Sequence, residues 1–230
     1  MDLETEIVDL IRKNRISTTE IADALGKTGS VPGVLPLNTL KYAVGKIRWI
    51  KPMNDSNYIL HKELENVQPG EIVYVRPLNF SNVAVFGDLV AKYTLLYKQA
   101  AAIIVEGNVR DTARLVREQY PIWCMSSNPV GAVNFQTHSE DELSSVLGDE
   151  ADGGIAICDE GGVVVIQKDA IDLALSRKLQ HIEALEDLWH YCLNTLKWST
   201  YDIVVRKRYL EEGQDIPMSL LESIRSLEGK

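Results

Sequence analysis

The sequence contains no CxxC pair, no glycine-rich nucleotide loop and no apolar run long enough to span a bilayer, and each gap removes a class of function. Its three cysteines, Cys124, Cys158 and Cys192, are odd in number and far apart. That spacing argues against a disulfide framework and against a zinc site, and leaves free thiols in a reducing compartment. GxGxxG, P-loop and GxSxG patterns are all missing, so dinucleotide, nucleoside-triphosphate and serine-hydrolase sites find no support. Basic side chains are in deficit, with 24 Lys and Arg against 33 Asp and Glu and a formal charge of −9. Such a surface repels phosphate backbones, so nucleic acid is not expected as a partner. Without a run of about 18 apolar residues, no membrane association is expected either. The first residues, MDLETEIVDLIRKN, are acidic and amphipathic rather than basic and then apolar. A secretory leader is therefore not expected, and a cytoplasmic protein is.

What is present suits a folded domain: 45% hydrophobic and 25% charged residues exclude a disordered chain. Leu3, Ile7, Leu10 and Ile11 share one face at helical spacing. Ser17, Thr18 and Thr19 offer an N-cap for a short helix that stops at Gly26, and residues 28–36 read as a Gly/Pro loop. Strands are expected at 42–50 and 71–75, with a helix or turn at 58–64 between them. The middle of the chain alternates most clearly. A strand at 83–86 leads through Gly87-Asp88 to a helix at 89–99, and a second strand at 100–105 leads through a loop at 107–111 to a helix at 112–119. A third short strand follows at 121–124. This is the pattern of parallel strands with crossover helices. Asp159-Glu160-Gly161 marks a hairpin between 155–158 and 162–166. A long apolar stripe from Ile171 to Leu196 predicts a helix, and the tail combines a strand-like YDIVV with a final helix. No repeat or long linker appears, so one core with a helical C-terminal extension is expected.

In α/β sheets, ligands gather at the carboxyl ends of parallel strands. Two such turns carry charge here, Gly87-Asp88 and Arg110-Asp111. Arg110 can grip a carboxylate with two parallel hydrogen bonds. Asp111 is either the N-cap of the helix that follows it or an oxygen ligand for a hard cation. His61, His138, His181 and His190 do not cluster and read as surface or interface residues.

Three stretches resemble the RraA-like family, which includes class II pyruvate aldolases. They are TTEIADALGKTGSVPGVLPL (18–37), FGDLVAKYTLLYKQAAAIIVEGNVRDTARL (86–115) and ICDEGGVVVI (157–166). The middle one is the specific one, with an aspartate in a GDL turn and an RD pair further on. The resemblance implies a swivelling β/β/α domain of the phosphohistidine-domain-like type over residues 1–169, with 170–230 as the helical extension. It also implies a homotrimer or homohexamer with its sites between subunits. It gives Arg110 the substrate carboxylate and Asp111 the direct ligation of Mg²⁺ or Mn²⁺. Backbone amides from Gly87 through Asp88, Leu89 and Val90 hold substrate oxygens, and Asp88 orients a metal-bound water that moves protons. The implied activity is a metal-dependent lyase that releases pyruvate from a small 2-oxo acid, by retro-aldol cleavage or oxaloacetate decarboxylation. The other activity the resemblance implies is non-catalytic, the inhibition of ribonuclease E by protein contact. The stretch from Leu89 to Val109 is one residue longer than is usual for the family, and the extra residue is expected to be absorbed in the 97–101 turn.

Overall fold

The computed structural model describes residues 2–137, 139, 142 and 153–228; His138 and the expected helix stop at Gly229 lie outside them. Helix α1 (Leu3–Asn14) starts where the Asp2 carboxylate accepts from Thr5 N–H, and it buries Ile7, Val8 and Ile11. Helix α2 (Thr18–Ala24) carries a reciprocal capping box, Ser17 with Glu20, and the chain leaves it through Gly26 at φ +74°.

Among the described residues, eight strands build the sheet: β1 (Leu35–Pro36), β2 (Ala43–Ile50), β3 (Ile72–Val75), β4 (Ala84–Phe86), β5 (Ala102–Val109), β6 (Ile122–Ser127), β7 (Ile155–Asp159) and β8 (Gly162–Ile166). They run β1-β6-β5-β3-β2-β7-β8, and β4 pairs with β5. The pairs β2–β3, β3–β5, β4–β5 and β5–β6 are parallel, whereas β1–β6, β2–β7 and β7–β8 are antiparallel. β2 serves both halves: Ala43–Lys46 pair with β7 and Ile47–Ile50 with β3.

Residues 29–37 nearly close this sheet into a barrel. Val165 N–H donates to Gly29 O and Val31 N–H to Val163 O on the β8 edge, and Leu37 N–H donates to Ile122 O on the β6 edge. The Gly/Pro stretch expected to be a loop therefore carries the strap that joins the two edges.

Strand period 2 sorts the core. Ile72, Tyr74, Ala102 and Ile104 face the barrel interior with Trp123 and Val165. Their neighbours Val73, Val75, Ile103 and Val105 face outward. There they meet α3 (Tyr58–Glu63), α4 (Asp88–Lys92) and α5 (Thr112–Arg117). On the other side, β7 and β8 are covered by α1, α2 and the first half of α6 (Leu173–Asn194). The second half of α6 packs with Ile203, Tyr209, Ile216 and Ile224 of the tail, which ends in α7 (Met218–Glu228). Among the described residues the buried side chains fall into clusters on the two faces of the sheet, inside it and between α6 and the tail. The 171–196 stripe is used within the chain, since Leu175, Leu179, Leu188 and Cys192 are all buried.

Other expectations also need correction. Gly107, Asn108 and Val109 belong to β5 rather than to a loop, because a bulge between Val105 and Asn108 lets the strand continue beside β4 and β6. The expected 89–99 helix is α4 followed by a π turn at Tyr93–Tyr97. YDIVV (201–205) forms another π turn rather than a strand, because Ile203 is drawn into the α6/tail cluster. All three cysteines are free and buried.

Candidate active site

β4 and β5 run parallel and end side by side, which sets the two charged turns against each other. Arg110 N–H donates to Phe86 O at 2.9 Å and ties the two strand ends together. Gly87 is buried at the turn into α4, and a Cβ there would run into Asp111 Oδ2 and stand 2.9 Å from Arg110 Cγ. Its φ of −138° is open to any residue, so glycine is needed for that close approach alone. Gly87→Ala is therefore expected to push the Asp111 carboxylate aside. Substrate turnover should drop while the thermal unfolding midpoint moves little; an alanine variant with unchanged turnover would remove Gly87 from the site.

Asp111 sits in the left-handed region, at φ +57° and ψ +30°, where aspartate is tolerated better than most residues. It occupies the N-cap position of α5, yet its side chain does not cap that helix. Its backbone carbonyl accepts from Arg114 and Leu115 N–H, and Oδ2 accepts from Asp88 N–H at 3.2 Å. The capping alternative is thus overturned, because the carboxylate is turned toward the α4 turn. The Arg110 Nε–Asp111 Oδ2 separation is 3.7 Å, with both side chains nearly half exposed. An ion pair that long and that wet adds little stability, so neither group is committed to the other. The Arg110 guanidinium lies over Gly131, where a Cβ would come within 2.5 Å of Nη1. Gly131 is held in place by a bridge to Ala84 of β4.

Asp88 is paired with Arg114 of α5, and that hydrogen bond lowers the Asp88 carboxyl pKa. Sequence reasoning missed Arg114, although its place three residues beyond Asp111 sets it on the first turn of a helix facing α4. A cavity of about 590 Å³ is bordered by Asp88, Arg110, Asp111, Arg114, Ser127 and Asn128. A second, of about 220 Å³, lies beyond the same three residues and is bordered by Gly87, Leu89, Val90, His61 and Asn134. Partial burial pushes the His61 pKa below its ordinary value, so its ring is neutral near pH 7. His61, read from the sequence as a surface or interface residue, is exposed on α3 and borders the smaller cavity. His181 and His190 lie on α6, away from these cavities. Of the amides expected to bind substrate, that of Asp88 is engaged by Asp111 and that of Leu89 lies beside the Asp88 carboxylate. Val90 N–H, in the first turn of α4, has no partner in its own helix.

Among the described residues no three His, Cys, Asp or Glu side chains form a metal cluster, and no helix is long and apolar enough to cross a membrane. A hard cation held by one carboxylate remains compatible with the donors present. Mg²⁺ keeps several waters and accepts a single protein carboxylate, and Asp111 Oδ1 receives no hydrogen bond from the described residues.

A nearly closed α/β sheet with paired charged turns at the ends of two parallel strands defines a protein with a polar site between strand ends. A family model described as RraA-like, Aldolase/RraA, matches residues 18–165, and the chain belongs to that family. The family holds both 4-hydroxy-4-methyl-2-oxoglutarate aldolases and ribonuclease inhibitors. A curated relative in Halalkalibacterium halodurans, named as a candidate 4-hydroxy-4-methyl-2-oxoglutarate aldolase, is 29% identical over 119 residues. The match covers 51% of this chain and 56% of that relative, about half the length of each. An uncharacterized protein from Pseudomonas syringae pv. tomato superposes with a TM-score of 0.69 at 17% identity, over 90% of this chain and 94% of its own. Streptomyces coelicolor RraAS2, described as an unusual member of the RNase ES inhibitor RraA family, gives a TM-score of 0.56 at 20% identity, over 82% and 95%. These structural likenesses support the mixed α/β fold.

Proposed function

We propose that this chain is a divalent-metal-dependent carbon–carbon lyase that releases pyruvate from a small 2-oxo acid, by retro-aldol cleavage of a 4-hydroxy-2-oxo acid, decarboxylation of oxaloacetate, or both. The observation that carries this reading is the placement of Arg110 and Asp111 on one cavity, with Asp88 held ionised beside them by Arg114. Mg²⁺ or Mn²⁺ held by Asp111, when bound, supplies Lewis-acid polarisation of the substrate's 2-oxo group. The protein's own groups do the rest. Arg110 grips the adjacent carboxylate through two N–H groups, which fixes the bond to be broken relative to Asp88. Asp88 is an acceptor, for a water or for the substrate's 4-hydroxyl proton. His61, neutral near pH 7, stands across the smaller cavity as a group able to exchange a proton with the departing or arriving carbon. The Gly87–Val90 turn borders that cavity, and its Val90 N–H is the amide left to meet a substrate oxygen.

The experiment is a pyruvate-release assay on a panel of 4-hydroxy-2-oxo acids and oxaloacetate, with and without Mg²⁺. Turnover of at least one acid in the presence of metal supports the lyase. No turnover of any, together with inhibition of a ribonuclease E-type enzyme, supports the protein-contact regulator instead.

We also propose a homotrimer or homohexamer. Leu89, Tyr93, Leu96 and Tyr97 are all exposed, follow the spacing of one helical face and border the site turn. The rings of Tyr93 and Tyr97 stack at 6.3 Å. An apolar row of this kind suits a subunit contact. Light scattering is expected to give three or six times 25.7 kDa, and Leu89→Lys with Tyr97→Lys is expected to lower that mass. A wild-type monomer that turns over substrate would overturn the assembly.

A further inference from the structure

A groove of about 390 Å³ runs between α4 and α5, beside the site. It shares Asp88 and Arg114 with the cavity of about 590 Å³, so that ion pair is the sill between the two spaces. Beyond the sill, α4 and the π turn after it contribute Lys92 and Leu96, and α5 contributes Arg117 and its cap residue Glu118. We propose that this groove holds a hydroxylated tail, so that the acid cleaved is a polyhydroxylated 2-oxo acid. The inference rests on the lyase reading above and names its substrate class.

The mixture of donors and acceptors carries the argument. Arg114 spends one N–H on Asp88, and Arg117 spends one on Glu118 at 3.3 Å. A guanidinium has five N–H groups, so most of their donors remain. The Lys92 ammonium makes no hydrogen bond or ion pair among the described residues. Asp88 and Glu118 set acceptors among these donors. A second carboxylate on the substrate only accepts, and it would face both acids. An apolar tail would cover the charged groups and meet only Leu96 and the ring of Tyr120. A hydroxyl both donates and accepts, so a row of hydroxyls pairs with the groove as it stands. Most small-molecule sites are lined mainly by apolar side chains, whereas this lining is mainly charged, which suits a polyol.

The placement follows from the reaction. With the substrate carboxylate on Arg110 and the C4 hydroxyl at Asp88, the carbons beyond C4 cross the sill into the groove. The C3–C4 bond breaks and its electron pair stays on C3 as the enolate, while the C4 hydroxyl gives up its proton and becomes an aldehyde. A proton then returns to C3, giving pyruvate and a hydroxyaldehyde. From Asp88 to Leu96 the helix climbs about 12 Å at ~1.5 Å per residue, longer than the tail of a six-carbon acid.

Three acids separate the alternatives: 2-keto-3-deoxygluconate has a hydroxylated tail, 4-hydroxy-2-oxopentanoate a methyl and 4-hydroxy-2-oxoglutarate a carboxylate. With Mg²⁺, the full chain is expected to cleave the first with a kcat/KM roughly tenfold or more above either other, because a site built to hydrogen-bond hydroxyls rejects analogues without them. Lys92→Met and Arg117→Met, both at exposed positions, should each shrink that preference by roughly fivefold or more, through KM, as the loss of one hydrogen bond to a charged group predicts. Equal or better turnover of the pentanoate or the glutarate overturns the proposal, as does a preference that both variants leave intact. If none of the three acids nor oxaloacetate releases pyruvate, the lyase reading fails by itself, and calorimetry with D-gluconate decides the groove. Saturable heat that both variants weaken supports a polyol groove, and no heat overturns it.

Discussion

Pyruvate release is expected to vanish on chelation and to return with Mg²⁺ or Mn²⁺, and Asp111→Asn should cut it by on the order of a thousandfold. The size follows from chemistry: Lewis-acid stabilisation of developing charge is worth several kcal/mol, and each ~1.4 kcal/mol is tenfold in rate. Asparagine is the informative replacement because Asp111 sits at φ +57° and accepts from the Asp88 amide. It tolerates that backbone and keeps an acceptor oxygen, so it removes the anionic ligand and little else. Asp111→Ala removes the ligand too, but places a Cβ-bearing residue without a local hydrogen bond in the left-handed region, a strain of about 1–2 kcal/mol. Comparing the two by circular dichroism and turnover separates ligand loss from backbone strain. Full activity in excess chelator would end the metal assignment.

Arg110→Lys should lower kcat/KM by about 2–4 kcal/mol of transition-state binding, roughly thirty- to a thousandfold. The charge is retained, so the loss measures the two-point grip rather than electrostatics. The side chain is nearly half exposed, and its pairing with Asp111 at 3.7 Å is loose, so fold stability should hardly change. A lysine variant with wild-type kinetics would make Arg110 structural, packed over Gly131 for shape alone.

Local rules made much of the fold legible. The N-cap at Ser17–Thr19, the stop at Gly26, the strand–turn–helix alternation from Ala84 to Cys124 and the Asp159–Gly162 hairpin all rest on neighbours in sequence. The Asp88 and Arg110-Asp111 turns were visible for the same reason. What escaped was non-local. Residues 28–36 read as a loop because their glycines and prolines hide a pairing with strands far along the chain. Gly107 and Asn108 look like loop residues, yet a bulge keeps them in β5. YDIVV has the side chains of a strand, but the pull of Ile203 toward α6 makes it helical. His61 reaches the site from α3, and spacing along the chain carries no sign of that; Arg114, three residues beyond Asp111 on the first turn of α5, did leave a sign that was not read.

The π turn at Tyr93–Tyr97 bears on how the two charged turns stay in step. A π turn takes up one residue more than the α-helical turn it replaces and leaves the flanking helix and strand where they were. It lies between Asp88 and Arg110, just ahead of the 97–101 stretch where the additional residue was expected. The Arg110 N–Phe86 O bond fixes the far ends regardless of the path between them. Tyr93–Tyr97 thus acts as an expansion joint: a relative one residue shorter can close it to an ordinary α turn and keep the same pair of turns in contact. The number of residues between the aspartate and the arginine is therefore a poor yardstick of whether a relative retains the site.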